Sequence, residues 1–193
     1  LSIARRAAAS AAYRSCVVSD PVPSRRLRGE AVLADALVRY LLEARLIGVL
    51  ATCDPDISIH AVPMWYALAD DSVLLATGAR SRKVRNLLRD PRATLVVHDS
   101  RPGFEICGTS ISATVDIVRG SQALGLVDRV HARYVSADAG EDPEIREFLA
   151  SDDVALRLRP SSALTWDERS GPASAALRAR GGALPLVTTD PRA

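Results

Sequence analysis

The densest group of residues able to do chemistry is the segment Thr77-Gly-Ala-Arg-Ser-Arg-Lys-Val84. It sets a hydroxyl and the cations Arg80, Arg82 and Lys83 beside small residues, where the hydrophobic pattern changes from strand to helix. A helix start leaves backbone N–H groups without partners and carries partial positive charge. Ser81 can cap that helix and can also donate to an anion. Arginine grips a phosphate through two parallel bonds, and lysine adds a point charge. Each such bond, if sheltered, adds roughly 1.5–3 kcal/mol. Three uses of the segment stay open on these grounds: a phosphate cradle, a solvated basic helix, and a nucleic-acid contact. Charge alone favours the solvated helix. The nucleic-acid reading lacks an aromatic platform, and the formal net charge is only +2.

Other signatures of chemistry are missing. The chain has no G-x-G-x-x-G, no P-loop, no G-x-S-x-G and no H-E-x-x-H. His60, His98 and His131 lie far apart and share no metal-ligand spacing, so no metal site is expected. Cys16, Cys53 and Cys107 are odd in number and contain no C-x-x-C, which fits reduced packing thiols in a cytoplasmic protein. No apolar run approaches the roughly 20 residues that a membrane span needs. No side chain stands out as a nucleophile or general base.

The elements that must position the basic segment follow from periodicity. Leu33, Leu37, Tyr40, Leu41 and Ala44 recur at helical spacing, which predicts a helix from about Glu30 to Ala44. Strands are expected over Leu46–Thr52, Ser58–Leu68 and Ser72–Thr77, with a turn at Cys53-Asp-Pro-Asp56. Arg80 to Arg89 reads as a short helix with Val84, Leu87 and Leu88 facing the core, stopped by Asp90-Pro91. Thr94–His98 and Phe104–Val118 read as strands. Ala123 to Tyr134 and Pro143 to Ala150 read as helices, and Val154–Leu158 and Ala163–Trp166 as two closing strands. Short turns between consecutive strands predict an antiparallel sheet, and closing it into a small barrel removes exposed edges.

The 193 residues suit one domain, and 48% hydrophobic with 25% charged residues is ordinary globular composition. The folded part is placed at 30–168. Residues 1–29 read as a flexible leader, or as a start site set too early. Their Arg5-Arg6 and Ala7-Ala8-Ala9 are followed by an apolar stretch too short and broken for an export signal. Residues 169–193, rich in Ser, Gly, Ala and Pro, read as a mobile tail.

The blocks His60-Ala-Val-Pro-Met-Trp-Tyr66, Leu74-Leu-Ala-Thr77, Ser81-Arg-Lys83 and Asp90-Pro-Arg-Ala93 together resemble the pyridoxamine 5′-phosphate oxidase-like flavin-binding split-barrel superfamily. The closer resemblance is to its branch of F-420-dependent enzymes of actinobacteria, and the Ala- and Arg-rich composition suits such a source. The resemblance extends from about Leu37 to Asp167. It implies a mainly β (α+β) fold, an antiparallel split β-barrel with three to four flanking helices. It also implies a homodimer with cofactor sites at the subunit interface.

By the same resemblance, Ser81, Arg82 and Lys83 look like the phosphate-binding residues, with Arg80 as an extra cation. Val62, Pro63, Met64 and Trp65 look like the strand whose backbone lies along an isoalloxazine ring, and Thr77 looks like a neighbouring strand-end contact. Trp166 holds the late Trp-Asp position, either near the site or as a core aromatic. The implied cofactor is F-420 (a deazaflavin) or FMN. The implied activity is hydride transfer to a small electron-poor organic substrate, with no nucleic-acid or membrane partner. An FMN-dependent oxidoreductase, or a non-catalytic flavin-, haem- or tetrapyrrole-binding protein, remains the alternative. Tyr66, His60 or solvent could supply a proton. Vitamin B6 oxidation is not implied, because the oxidase's basic second strand is replaced by Ala61 to Tyr66. The first hairpin turn also departs from the family: Asp56-Ile57 stands where Asp-Gly is usual. A β-branched residue strains a positive φ, so either the turn differs or roughly 1–3 kcal/mol of strain is stored there.

Overall fold

The computed structural model describes residues 24–101, 105–150 and 153–181. Strands are β1 (Arg25–Arg28), β2 (Gly48–Cys53), β3 (Ile59–Met64), β4 (Tyr66–Leu68), β5 (Val73–Gly78), β6 (Arg92–Arg101), β7 (Glu105–Val118) and β8 (Asp153–Asp167). Helices are α1 (Ala31–Ala34), α2 (Ala36–Glu43), α3 (Arg82–Arg89), α4 (Ser121–His131), α5 (Pro143–Leu149) and α6 (Pro172–Arg180). Together the strands form one antiparallel sheet in the order β3-β2-β6-β7-β8-β5-β4, with β1 added on β8. This is the expected split barrel with flanking helices.

Two compact units divide the chain. In the larger, Arg26–Asp99 with Gly108–Thr165, the topology itself requires curvature. β3 and β4 end the hydrogen-bonded path at opposite edges, yet only Trp65 separates them in sequence. The sheet must therefore curl until its two edges stand within one residue. Period-two alternation fills the inside: Leu50 on β2, Leu95 and Val97 on β6, Ile111 on β7, and Leu156 and Leu158 on β8 are fully buried. In the smaller unit, Glu168 donates its backbone N–H to Ile106 O at 2.8 Å, and the Ser174 hydroxyl on α6 donates to Glu168 O at 2.8 Å.

Several expectations are corrected. The helix expected over Glu30–Ala44 is two helices broken at Asp35, whose backbone is extended and whose carboxylate caps α2 by accepting from Leu37 N and Val38 N. An aspartate that can satisfy orphan N–H groups starts a new helix more readily than it continues an old one. The strand expected over Ser58–Leu68 is likewise two, β3 and β4, on opposite sheet edges. Leu88 is 65% exposed; the buried polar member of α3 is Asn86. The two closing strands are one, β8, because the Arg159-Pro160-Ser161 stretch is held extended by neighbours: Gly29 N donates to Ser161 O at 3.0 Å, and the Ser161 hydroxyl to Ser112 O at 3.1 Å. The supposed leader ends in β1, and the supposed tail contains α6. Residues 1–23, with Cys16, and 182–193 lie outside the described residues, as does Phe104.

Tyr66 ties the barrel to α2. Its hydroxyl donates to Leu41 O at 2.7 Å, with Ala44 O at 3.1 Å. Arg133 donates to Leu42 O at 2.7 Å and stands 5.3 Å from the centre of the Tyr66 ring. Tyr134 donates to Leu46 O at 2.7 Å. Tyr66 and Arg133 thus satisfy carbonyls that the end of a helix leaves open, and Tyr134 holds the loop that follows it. The Tyr66 side chain is fully buried with its hydroxyl committed to these carbonyls, which makes it a structural pin, and burial pushes the phenol above its usual range.

Candidate functional site

The basic segment does lie at a strand-to-helix junction: β5 ends at Gly78, Ser81 is the N-cap of α3, and Arg82 opens the helix. Ser81 has the extended backbone of a cap, but its hydroxyl makes no capping bond and meets only the Thr77 hydroxyl, at 3.5 Å. Lys83 is half-buried, and loss of hydration pulls its ammonium below the ordinary lysine pKa, opposed by the nearby Asp153 carboxylate. Arg80 is exposed, and its carbonyl accepts from Arg85 Nη1 at 2.6 Å.

Arg82 is held differently from its neighbours. Its Nε donates to Asp54 Oδ1 at 2.9 Å and its Nη2 to Asp54 Oδ2 at 2.6 Å. Asp54 is 3% exposed and also accepts from Asn86 Nδ2 at 2.9 Å and from the Ser58 hydroxyl at 3.3 Å. These donors, Arg82 foremost, hold its carboxyl below the usual range against the opposing effect of burial. Arg89 at the other end of α3 donates to Cys53 O. Helix α3 is therefore fastened along its length to the β2–β3 hairpin. Asp54 and Asn86 escaped sequence reasoning. The only available signal was an amide interrupting the apolar face of an otherwise amphipathic helix.

The hairpin turn takes the strained option. Ile57 has φ +62°, the only positive φ of a non-glycine residue among those described. Its N–H donates to Asp54 O at 3.0 Å, and Asp54 N–H donates to Ser58 O at 2.9 Å. The turn keeps the glycine-type backbone without the glycine because the bonds around Asp54 over-determine it.

β3 is an edge strand. It pairs with β2 from Gly48↔Met64 to Cys53↔Ile59 and forms one end of the sheet path. Val62 is half-buried, Pro63 exposed and Met64 buried, and proline is tolerated where no ladder bond is needed. Trp65 stacks on Tyr134 with ring centres 4.9 Å apart and planes 4° apart, and meets His131 and Phe148 edge-on at 6.2 Å each. With Arg45 and Glu144, Trp65, Tyr134 and Phe148 line a cavity of about 510 Å³.

The two parts are joined. Gly78 on β5 stands opposite Asp153 on β8, and the Asp153 carboxylate lies 3.6 Å from His131 Nε2. Contacts thus run from Asp153 through His131 to Trp65, and the Asp153 carboxylate is near enough to Lys83 to favour its charge. His60, half-buried on β3, and His98, exposed on β6, are not part of this cluster, and Trp166 is half-buried at the end of β8. Among the described residues no group of His, Cys, Asp or Glu could hold a metal ion. No described helix is long and apolar enough to cross a membrane.

Known proteins share this architecture. The conserved hypothetical protein Rv2991 from Mycobacterium tuberculosis superposes with a TM-score of 0.61 at 28% identity, covering 74% of this chain and 91% of that one. An F420 reductase gives 0.50 at 22% identity, covering 65% and 94%. The haem storage protein HutZ from Vibrio cholerae gives 0.54 at 15% identity, covering 67% and 92%. At identities this low, the last two speak to the fold alone. The curated proteins include no match. The sequence model described as pyridoxamine 5′-phosphate oxidase matches residues 34–167. That span contains the basic β5–α3 junction, the edge strand β3 and the aromatic cavity, and the chain belongs to the pyridoxamine 5′-phosphate oxidase family of split barrels.

Proposed function

We propose that this protein binds a phosphate-bearing flavin or deazaflavin and uses it for hydride transfer to a small, electron-poor organic substrate, with F-420 as the cofactor. The observation that carries the reading is the junction between β5 and α3. A cap-position hydroxyl that caps nothing, a half-exposed arginine and a half-buried lysine stand in succession at one helix start. A dehydrated ammonium gains most from an anion that replaces its lost water. Ser81, Lys83 and Arg82 would take the phosphate, Thr77 and Arg80 would flank it, and the open backbone edge of Val62, Pro63, Met64 and Trp65 would lie along the ring. When bound, the cofactor supplies the hydride chemistry.

This chain's own residues hold and exclude. The stacked pair Trp65 and Tyr134, with Phe148, offers a planar apolar wall for a flat substrate, and Arg45 and Glu144 offer one charge of each sign at the rim. Holding two flat partners face to face is the protein's main contribution to rate in such chemistry. No side chain is assigned as a nucleophile.

A second copy of the chain is the proposed partner. Ile59 is 68% exposed on β3 and lines a cavity of about 380 Å³ with Ala51, Thr94 and Thr114. This sheet face of small side chains would suit a flat, close interface. FMN on the same site is the second reading, supported by the family to which the chain belongs, and a non-catalytic binding role is the third.

Titrating the protein separately with F-420 and FMN by fluorescence quenching distinguishes the cofactors. Oxygen consumption then separates flavin from deazaflavin turnover, since reduced deazaflavins do not react readily with oxygen. Bleaching of the bound cofactor on adding a reducible substrate argues against a storage role. Lys83→Ala is expected to weaken either cofactor by about tenfold or more; unchanged affinity would remove the phosphate assignment.

A further inference from the structure

We infer that Asp54, at the end of β2, is a positioning residue for the anion cradle: its buried carboxylate fixes the direction in which Arg82 presents its unused guanidinium edge. The inference rests on the reading that the cradle holds a phosphate. One carboxylate on the hairpin holds two residues one turn apart on α3, Arg82 by a two-pronged bond and Asn86 by its amide. Asn86 is pinned a second time through Thr52 Oγ1 at 3.1 Å. A guanidinium has five N–H donors in a fixed plane. Asp54 takes two of them on one edge, while the side chain stays 56% exposed, so the other edge is free to meet a ligand.

Arg82 does not swing away to do so. Pulling it off Asp54 would leave a buried carboxylate without its counter-charge, held only by the Asn86 amide and the Ser58 hydroxyl, a loss larger than a surface contact returns. The pair therefore moves as one rigid donor, and the anion comes to it. Asparagine at position 54 would present a single acceptor oxygen, with its NH₂ group facing the guanidinium donors. The two-pronged hold would then fail, and Arg82 would have to be ordered by the ligand itself, at an entropic cost. The opposite result, tighter anion binding through loss of a negative charge, would follow if Asp54 only neutralised the cradle. The sign of the change is therefore diagnostic.

FMN and riboflavin, which differ by the phosphate alone, are the probes, titrated against the full chain by fluorescence. The parent is expected to prefer FMN. Asp54→Asn is expected to lose about tenfold in FMN affinity with riboflavin affinity unchanged. Arg82→Lys keeps the charge but cannot make the fork. At an exposed position it tests the same point if Asp54→Asn does not fold, and the same phosphate-specific loss is expected. Asp54→Asn binding FMN as tightly as the parent or tighter, or losing both probes equally, overturns the inference. Equal affinity of the parent for FMN and riboflavin sinks the cradle reading beneath it.

Discussion

Lys83 combines a burial cost with a binding use, and the two have opposite pH slopes. In the folded chain its pKa lies below the ordinary lysine value of 10.5 because burial disfavours the ammonium. Sign matters here: a group held charged against its environment subtracts from stability below its folded pKa. That penalty disappears as pH rises from the folded pKa towards the unfolded one. Phosphate affinity runs the other way, because it needs the charge. FMN affinity is expected to fall as pH rises through the lowered Lys83 pKa towards the ordinary lysine value, and Lys83→Arg, which stays charged, is expected to flatten that fall; the dissociation constant measured in alkaline solution checks it. Ile57 offers a second test. It is 83% exposed at φ +62°, so Ile57→Gly removes strain and little packing. Left-handed backbone costs roughly 1–2 kcal/mol outside glycine, and the flexible unfolded glycine takes back about 0.5–1 kcal/mol. The net expectation is a gain of up to about 1.5 kcal/mol in urea unfolding. The Ser81-Arg82-Lys83 motif and the departure at Ile57 were legible in the sequence, because both are local. Asp54 and Asn86 were not, because an aspartate in a turn and an asparagine in a helix become partners only when two elements 32 positions apart are packed together.

Elements carry their own predictions. Asp35 ends α1 and caps α2 with its carboxylate; Asp35→Ala is expected to cost about 1 kcal/mol, read from thermal or denaturant unfolding. Strand β1 pairs with β8, and Gly29 bonds Ser161. A chain beginning at Glu30 is thus expected to unfold at lower temperature than the full chain, whereas equal melting temperatures would mean that β1 adds nothing. Periodicity found the elements from α1 to β8 but not β1 or α6, since burial of alternate or helical faces is written in residue order only where a face is buried. Their breaks at Asp35 and Trp65, and the joining of β8 across Pro160, were set by neighbours. Capping bonds, sheet closure and lateral pairing each outweigh the weak local preferences at those points.

At the scale of the whole molecule, the proposed second copy makes the site a shared one. Sedimentation is expected to give a dimer, and Ile59→Arg, a charge placed on the exposed sheet face, is expected to shift it towards monomer while weakening cofactor binding. A monomeric parent that still binds FMN tightly would show that one chain suffices. The residue order alone determined the antiparallel β class, the family likeness and the basic strand-to-helix junction. Each of these rests on patterns spanning a few residues or on their sequential order. Only the tertiary structure decided that Arg82 answers to Asp54, that Tyr66 is a pin, and that Trp65 lies on Tyr134 and beside His131. Those pairings depend on the sheet curling until distant strands meet, and side chains far apart in sequence have no local signal for where the backbone will bring them.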